Sequence, residues 1–98
     1  LKTSKPIQNV VKKTENLDPE NLLSSNGCFS CHSVQTKIVG PAFKEISAKY
    51  SHSPNNQQTI MSNIKKGGSG QWGTIPMPPQ NQLTDPELMA IAQWILQQ

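Results

Sequence analysis

Residues 28–32 read Cys-Phe-Ser-Cys-His, and the two cysteines are the only ones in the 98-residue chain. A disulfide between such near neighbours closes a tiny loop and constrains little of the unfolded chain. It also leaves His32 without a role. A structural zinc site needs four ligands. Cys28, Cys31, His32 and His52 are the only cysteine and histidine candidates, and adjacent Cys31 and His32 are awkward partners on one tetrahedral ion. A thioredoxin-like dithiol requires strands around it, and no stretch here alternates as a strand does. Covalent attachment of haem uses all three residues. Each thiol adds to one porphyrin vinyl group, and His32 then lies beneath the ring with a nitrogen for iron. Cys-x-x-Cys-His is the attachment signal for c-type haem.

The rest of the composition agrees with a core completed by a bound group. Only 34% of the residues are hydrophobic, and a domain this small is marginal on buried area alone. The net charge is +3, from nine lysines, no arginine and six acids. Without the forked guanidinium that recognises phosphates and bases, nucleic-acid binding is a poor reading. No apolar run reaches the length of a membrane span.

Residues 1–16 are polar and lysine-rich and read as an N-terminal extension. Ile7, Val10 and Val11 follow Pro6 at the spacing of one helical turn, so a tether and a short extra helix both stand. Residues 17–98 read as one all-α domain with about four short helices. Asp18 and Pro19 start the first and Gly27 stops it. Phe43, Ile46 and Tyr50 mark the second. Ser53 and Pro54 signal the start of the third, with Ile60, Met61 and Ile64 on one face and Gly67 at its end. Residues 67–82 hold four of the six glycines and three prolines, which excludes regular structure. Thr84 and Glu87 fit a capping box for the last helix, with Leu88, Ile91, Ala92 and Ile95 along one face.

Iron held by one histidine has a second face. Met61 and Met89 fall on or near helical apolar faces, where methionine is ordinarily filler. Met77 lies in Thr-Ile-Pro-Met-Pro-Pro-Gln, where prolines stiffen a non-helical backbone. It reads either as a buried loop methionine or as the second axial ligand, histidine with methionine being a known pair. His52, in a polar stretch, reads as a surface residue.

From about Leu17 to Gln98 the chain resembles the small bacterial class I cytochromes c, the cytochrome c-551/c-552 group. The resemblance rests on "DPENLLSSNGCFSCHSVQTKIVGPAFKEISAKY", "IKKGGSGQWGTIPMPP" and "LTDPELMAIAQWIL". It implies a few helices around one covalently bound haem c with its iron. Carried over by position, Cys28 and Cys31 hold the thioethers, and His32 and Met77 are the axial ligands. Pro41 accepts the second N–H of His32, and Trp72 hydrogen-bonds a haem propionate. Trp94, Phe43 and Tyr50 are packing residues. Where the group often has an asparagine after Met-Pro-Pro, donating to the methionine sulfur, this chain has Gln80 and then Asn81.

The resemblance implies a periplasmic electron carrier that is not an enzyme, a monomer serving respiratory redox proteins: an oxidase, a reductase or a cytochrome complex. Two alternatives belong to other classes. One is an electron-entry domain of a larger protein, or of one anchored to the membrane through residues 1–16. The other is a haem peroxidase or gas sensor, which requires an open sixth position. Lys37, Lys44, Lys49, Lys65 and Lys66 read either as ordinary solvated surface or as a positive ring that steers acidic partners.

Overall fold

The computed structural model describes residues 17–98. The extension 1–16, with its Ile7, Val10 and Val11 pattern, lies outside the described residues.

Helix α1 spans Pro19–Ser25, with Pro19 in its first turn and the Asp18 carboxylate accepting from the Glu20 N–H at 3.2 Å. At its far end the Asn26 amide donates to the Leu22 carbonyl at 2.8 Å. Gly27 then takes φ 74°, and the chain drops into a 3₁₀ turn, Cys28–Ser30. The left-handed backbone that ends α1 is therefore what presents the first cysteine.

Helix α2 spans Phe43–Tyr50. Its cap residue, Ala42, has no side-chain oxygen, so only half of a capping box forms: Glu45 accepts from the Ala42 N–H at 2.8 Å. The Phe43 and Lys44 N–H groups instead donate to the carbonyls of Ser33 and Val34, at 2.8 and 3.0 Å. The loop after the histidine thus caps α2, which satisfies its orphan donors and fixes the loop in one step. Phe43 and Tyr50 are buried as expected, but Ile46 is only half-buried and Ser47 takes the inner position. The Ser47 hydroxyl donates to the Leu96 carbonyl at 3.0 Å.

Helix α3 spans Asn56–Lys66, so it starts later than Ser53 and Pro54 signalled. The Ser53 N–H donates to the Tyr50 carbonyl at 3.0 Å, and the Ser53 carbonyl accepts from Asn56 at 3.2 Å. These bonds close a separate turn after α2, and α3 begins beyond it, with Asn55 at the cap position. The Asn56 side chain takes over a free donor, accepting from the Gln57 N–H at 2.6 Å.

Helix α4 spans Asp85–Leu96 and starts with the full box: Glu87 N–H to the Thr84 hydroxyl and Thr84 N–H to the Glu87 carboxylate, at 3.3 and 2.8 Å. It packs against each of the other three helices. Its face of Leu88, Ile91, Ala92 and Ile95 joins Leu22, Leu23, Phe43, Tyr50, Ile60, Met61, Ile64 and Leu83 in one core. Met89 points outward, 40% exposed, and is not core filler. Among the described residues the fold is all-α with four helices. Among the described residues, antiparallel pairing is confined to two isolated bridges, His32 with Lys37 and Gly68 with Met77. No described helix is long and apolar enough to cross a membrane.

Candidate functional site

A cleft of about 220 Å³ opens into the core between the cysteine turn and the glycine-proline loop. Its lining, rather than its volume, marks it as a site. Leu23, Ile60, Ile64, Ile91 and Ile95, from α1, α3 and α4, form its apolar floor. Cys28, Cys31, His32 and Pro41 line it from one segment, and Trp72, Pro76, Met77 and Pro78 from another. Met61, Met89 and His52 do not line it. Met61 is buried against a separate groove between α3 and α4, and His52 is exposed.

The cysteine turn is held by its own backbone. Cys28 accepts from the N–H groups of Cys31 and His32, at 3.2 and 3.0 Å. Both thiols are free and half-buried. Burial pushes the Cys28 thiol above its ordinary range, a bond from its own backbone works against this, and nearby Cys31 adds to the upward push. Among the described residues, no three His, Cys, Asp or Glu side chains converge to hold a metal ion by themselves.

His32 Nδ1 lies 2.7 Å from the Pro41 carbonyl oxygen. A carbonyl only accepts, so Nδ1 carries the proton and donates it. Nε2 is left with its lone pair, the form in which imidazole binds metals. The ring stacks on Phe43, with centroids 5.2 Å apart and planes inclined by 25°. Phe43 is braced in turn by an edge contact with Trp94 at 5.3 Å.

Met77 sits where regular structure is impossible, yet its backbone is fully specified. Pro76, Pro78 and Pro79 have no N–H, and the one amide among these four residues donates to the Gly68 carbonyl at 2.8 Å. Farther along, the Gln80 N–H donates to the Ile64 carbonyl at 3.2 Å and moors the loop to α3. The Gln80 side chain does not line the cleft. Its amide donates to the Pro78 carbonyl at 3.1 Å, and its oxygen accepts from Gln82 at 2.7 Å. Gln82 also reaches Asn26 beyond α1, at 3.0 Å.

One end of the cleft is polar. The Tyr50 hydroxyl donates to Gln71 Oε1 at 2.6 Å and accepts from the Asn63 amide at 3.4 Å. Trp72 flanks this group with Lys49 Nζ over its ring, 4.9 Å from the centroid. Sequence reasoning missed Asn63 and Gln71. A polar residue on an otherwise apolar helical face was the available signal for Asn63. Gln71, in a loop, offered none.

An apolar slot with one polar end, two free thiols, an imidazole with a free lone pair and a thioether in its lining matches the chemistry of haem. These features define a small helical haem protein of class I type. The family model for cytochrome c matches residues 20–98, and the chain belongs to the cytochrome c family. It is 43% identical to cytochrome c-551 of Pseudomonas aeruginosa over 83% of this chain and 77% of that one. It is 47% identical to cytochrome c-552 of Hydrogenobacter thermophilus, covering 79% of this chain and 78% of the relative. The crystal structure of Nitrosomonas europaea cytochrome c552 superposes with a TM-score of 0.76 at 45% identity, over 80% of this chain and 96% of that one. The cofactor is covalently attached haem c with its iron, and the role is electron transfer through it.

Proposed function

We propose that the chain is a periplasmic one-electron carrier, with thioethers at Cys28 and Cys31 and with His32 and Met77 as the axial ligands. Residues 17–98 are the functional domain in this reading, and residues 1–16 are an extension to it. The observation that carries the proposal is that His32, with its lone pair freed by Pro41, and Met77 line the same cleft as both cysteines. Bound haem supplies a ferrous/ferric couple. His32 donates from Nε2 while the Pro41 bond fixes its tautomer and raises its basicity. The neutral Met77 thioether favours the reduced state and raises the potential. With side chains on both faces, no position is left for a substrate, which makes the chain a carrier and not an enzyme. Trp72 and the Tyr50 end of the cleft receive the propionates, where an indole N–H finds an acceptor.

Thioether assembly outside the bacterial cytoplasm supports the location. Lys37, Lys44, Lys49, Lys65 and Lys66 are all exposed, a charge suited to redox proteins with an acidic docking patch. The protein acts as a monomer in this reading. Met77→Ala tests the ligation. The variant loses the weak far-red sulfur-to-iron band of the ferric protein, has a lower potential and binds cyanide or carbon monoxide. The same change at Met61 or Met89 does none of this. Ready carbon monoxide binding by the unaltered protein at neutral pH would favour the sensor or peroxidase alternative.

A further inference from the structure

We infer that Gly40 is a positioning residue for His32, setting the orientation of the imidazole and the strength of its bond to Pro41; the inference rests on His32 being an iron ligand. A Cβ built on Gly40 falls 2.5 Å from His32 Cε1 and 3.0 Å from each ring nitrogen. Carbon atoms in favourable contact stand about 3.5–4.0 Å apart, so the ring occupies the space a side chain would need. Backbone freedom is not the reason for glycine here. Gly40 is absent from the glycines with positive φ, which are Gly27, Gly67, Gly68, Gly70 and Gly73.

Neither partner is free to retreat. The Gly40 N–H donates to the Cys31 carbonyl at 2.8 Å, and the Gly40 carbonyl accepts from Ile38 at 3.2 Å. The next residue, Pro41, holds Nδ1. On the ring's side, Phe43 is stacked against it and is only 2% exposed. A methyl group at position 40 must therefore turn the imidazole or lengthen its hydrogen bond to Pro41. Weakening that bond makes the imidazole a poorer donor, which destabilises ferric more than ferrous iron.

The test compares Gly40→Ala with Gly70→Ala in the haem-loaded full chain. Gly70 has φ +105°, open space where its Cβ would be, and no place in the cleft lining, so its substitution carries backbone strain without touching His32 or the cysteine turn. Gly70→Ala is expected to lower the melting temperature and leave the potential unmoved. Gly40→Ala is expected to lower the ferric-to-ferrous ratio at a fixed applied potential about threefold, about 28 mV at 59 mV per tenfold. Exchange of the His32 Nδ1 proton, followed by NMR in the ferrous protein, should also speed up. An unmoved potential together with unchanged Nδ1 exchange overturns the proposal. Should Gly40→Ala load too little haem to titrate, adding Phe43→Leu gives the ring room to retreat and restores loading; a double variant that loads no better overturns it. His32→Ala separates the two readings. If the low-spin spectrum survives that change, ligation by His32 fails and takes the inference with it. If the spectrum is lost while Gly40→Ala is silent, only the role of Gly40 fails.

Discussion

Gly68 and Met77 exchange two backbone hydrogen bonds, Gly68 N–H to the Met77 carbonyl at 2.9 Å and Met77 N–H to the Gly68 carbonyl at 2.8 Å. This reciprocal pair closes the loop that follows α3. The backbone of Met77 is thereby referenced to the end of a packed helix, although Met77 lies in no helix or strand. A side chain intended for one point in a cleft needs such a support.

Gly67, next to that pair, is required on two counts. Its φ is +66°, and a Cβ there would meet the Met77 carbonyl and approach the Pro79 nitrogen to 2.7 Å. Gly67→Ala is expected to cost at least about 1–3 kcal/mol, the range for a strained non-glycine backbone. On the ligation proposed for Met77, cyanide should also bind faster. Denaturant titration and stopped-flow ligand binding measure the two effects. Wild-type values in both would show that the loop is not held by this pair.

Tyr50 belongs both to the core and to the polar end of the cleft. Its hydroxyl has partners in Gln71 and Asn63. Tyr50→Phe keeps the ring and strands those amides, so a loss of about 1 kcal/mol is expected. The absorption spectrum should be unchanged, because no axial group is touched. A spectral change would mean that the hydroxyl reaches the iron environment, contrary to its geometry.

Among the described residues, seven of the twelve in the buried core, Leu23, Phe43, Tyr50, Ile60, Ile64, Ile91 and Ile95, also line the cleft. More than half of the core therefore faces the site that the cofactor fills. Replacing Cys28 and Cys31 with Ala, which abolishes attachment, is expected to leave a largely unfolded chain by far-UV circular dichroism. Binding free energy of the group is folding free energy here, as it is in small metal domains. A cooperative thermal transition with full helicity in that variant would contradict this.

Electron transfer to an acidic partner should slow as salt is raised. Among the described residues, Lys65 pairs with Asp85 at 4.0 Å, and both side chains are well exposed, so the pair is worth little. Steering by Lys37, Lys44, Lys65 and Lys66 is screened over about 10 Å at 0.1 M ionic strength and about 3 Å at 1 M. A second-order rate constant that stays flat over that range would count these lysines as ordinary surface.

Much of the architecture was legible from local chemistry. Asp18-Pro19, the Thr84/Glu87 box and the apolar face of α4 identify helices from a few neighbouring residues, because capping and amphipathicity act within one or two turns. The start of α3 differs from its local signal for the complementary reason. Ser53 and Pro54 fall within a separate turn, in which the Ser53 carbonyl accepts from the Asn56 N–H, and the helix begins only at Asn56. Met89 was likewise placed by helical spacing near an apolar face, whereas the packing of α4 among three neighbours turns it to solvent.

Cys28, Cys31 and His32 sit within five residues, so the sequence alone determined the cofactor class; their chemistry is written in their spacing. It also determined that Met77 lies on a proline-stiffened, non-helical segment, because proline acts on its own backbone. Only tertiary structure decided which groups share the cleft. It brought Asn63 and Gln71 to Tyr50, turned Gln80 toward Pro78 and Gln82, and left Met61 in a separate groove. It also set Gly40 against His32. Those outcomes depend on how helices and loops pack across long sequence separations, where no local propensity speaks, and space is allotted by excluded volume and by the competition for hydrogen-bond partners.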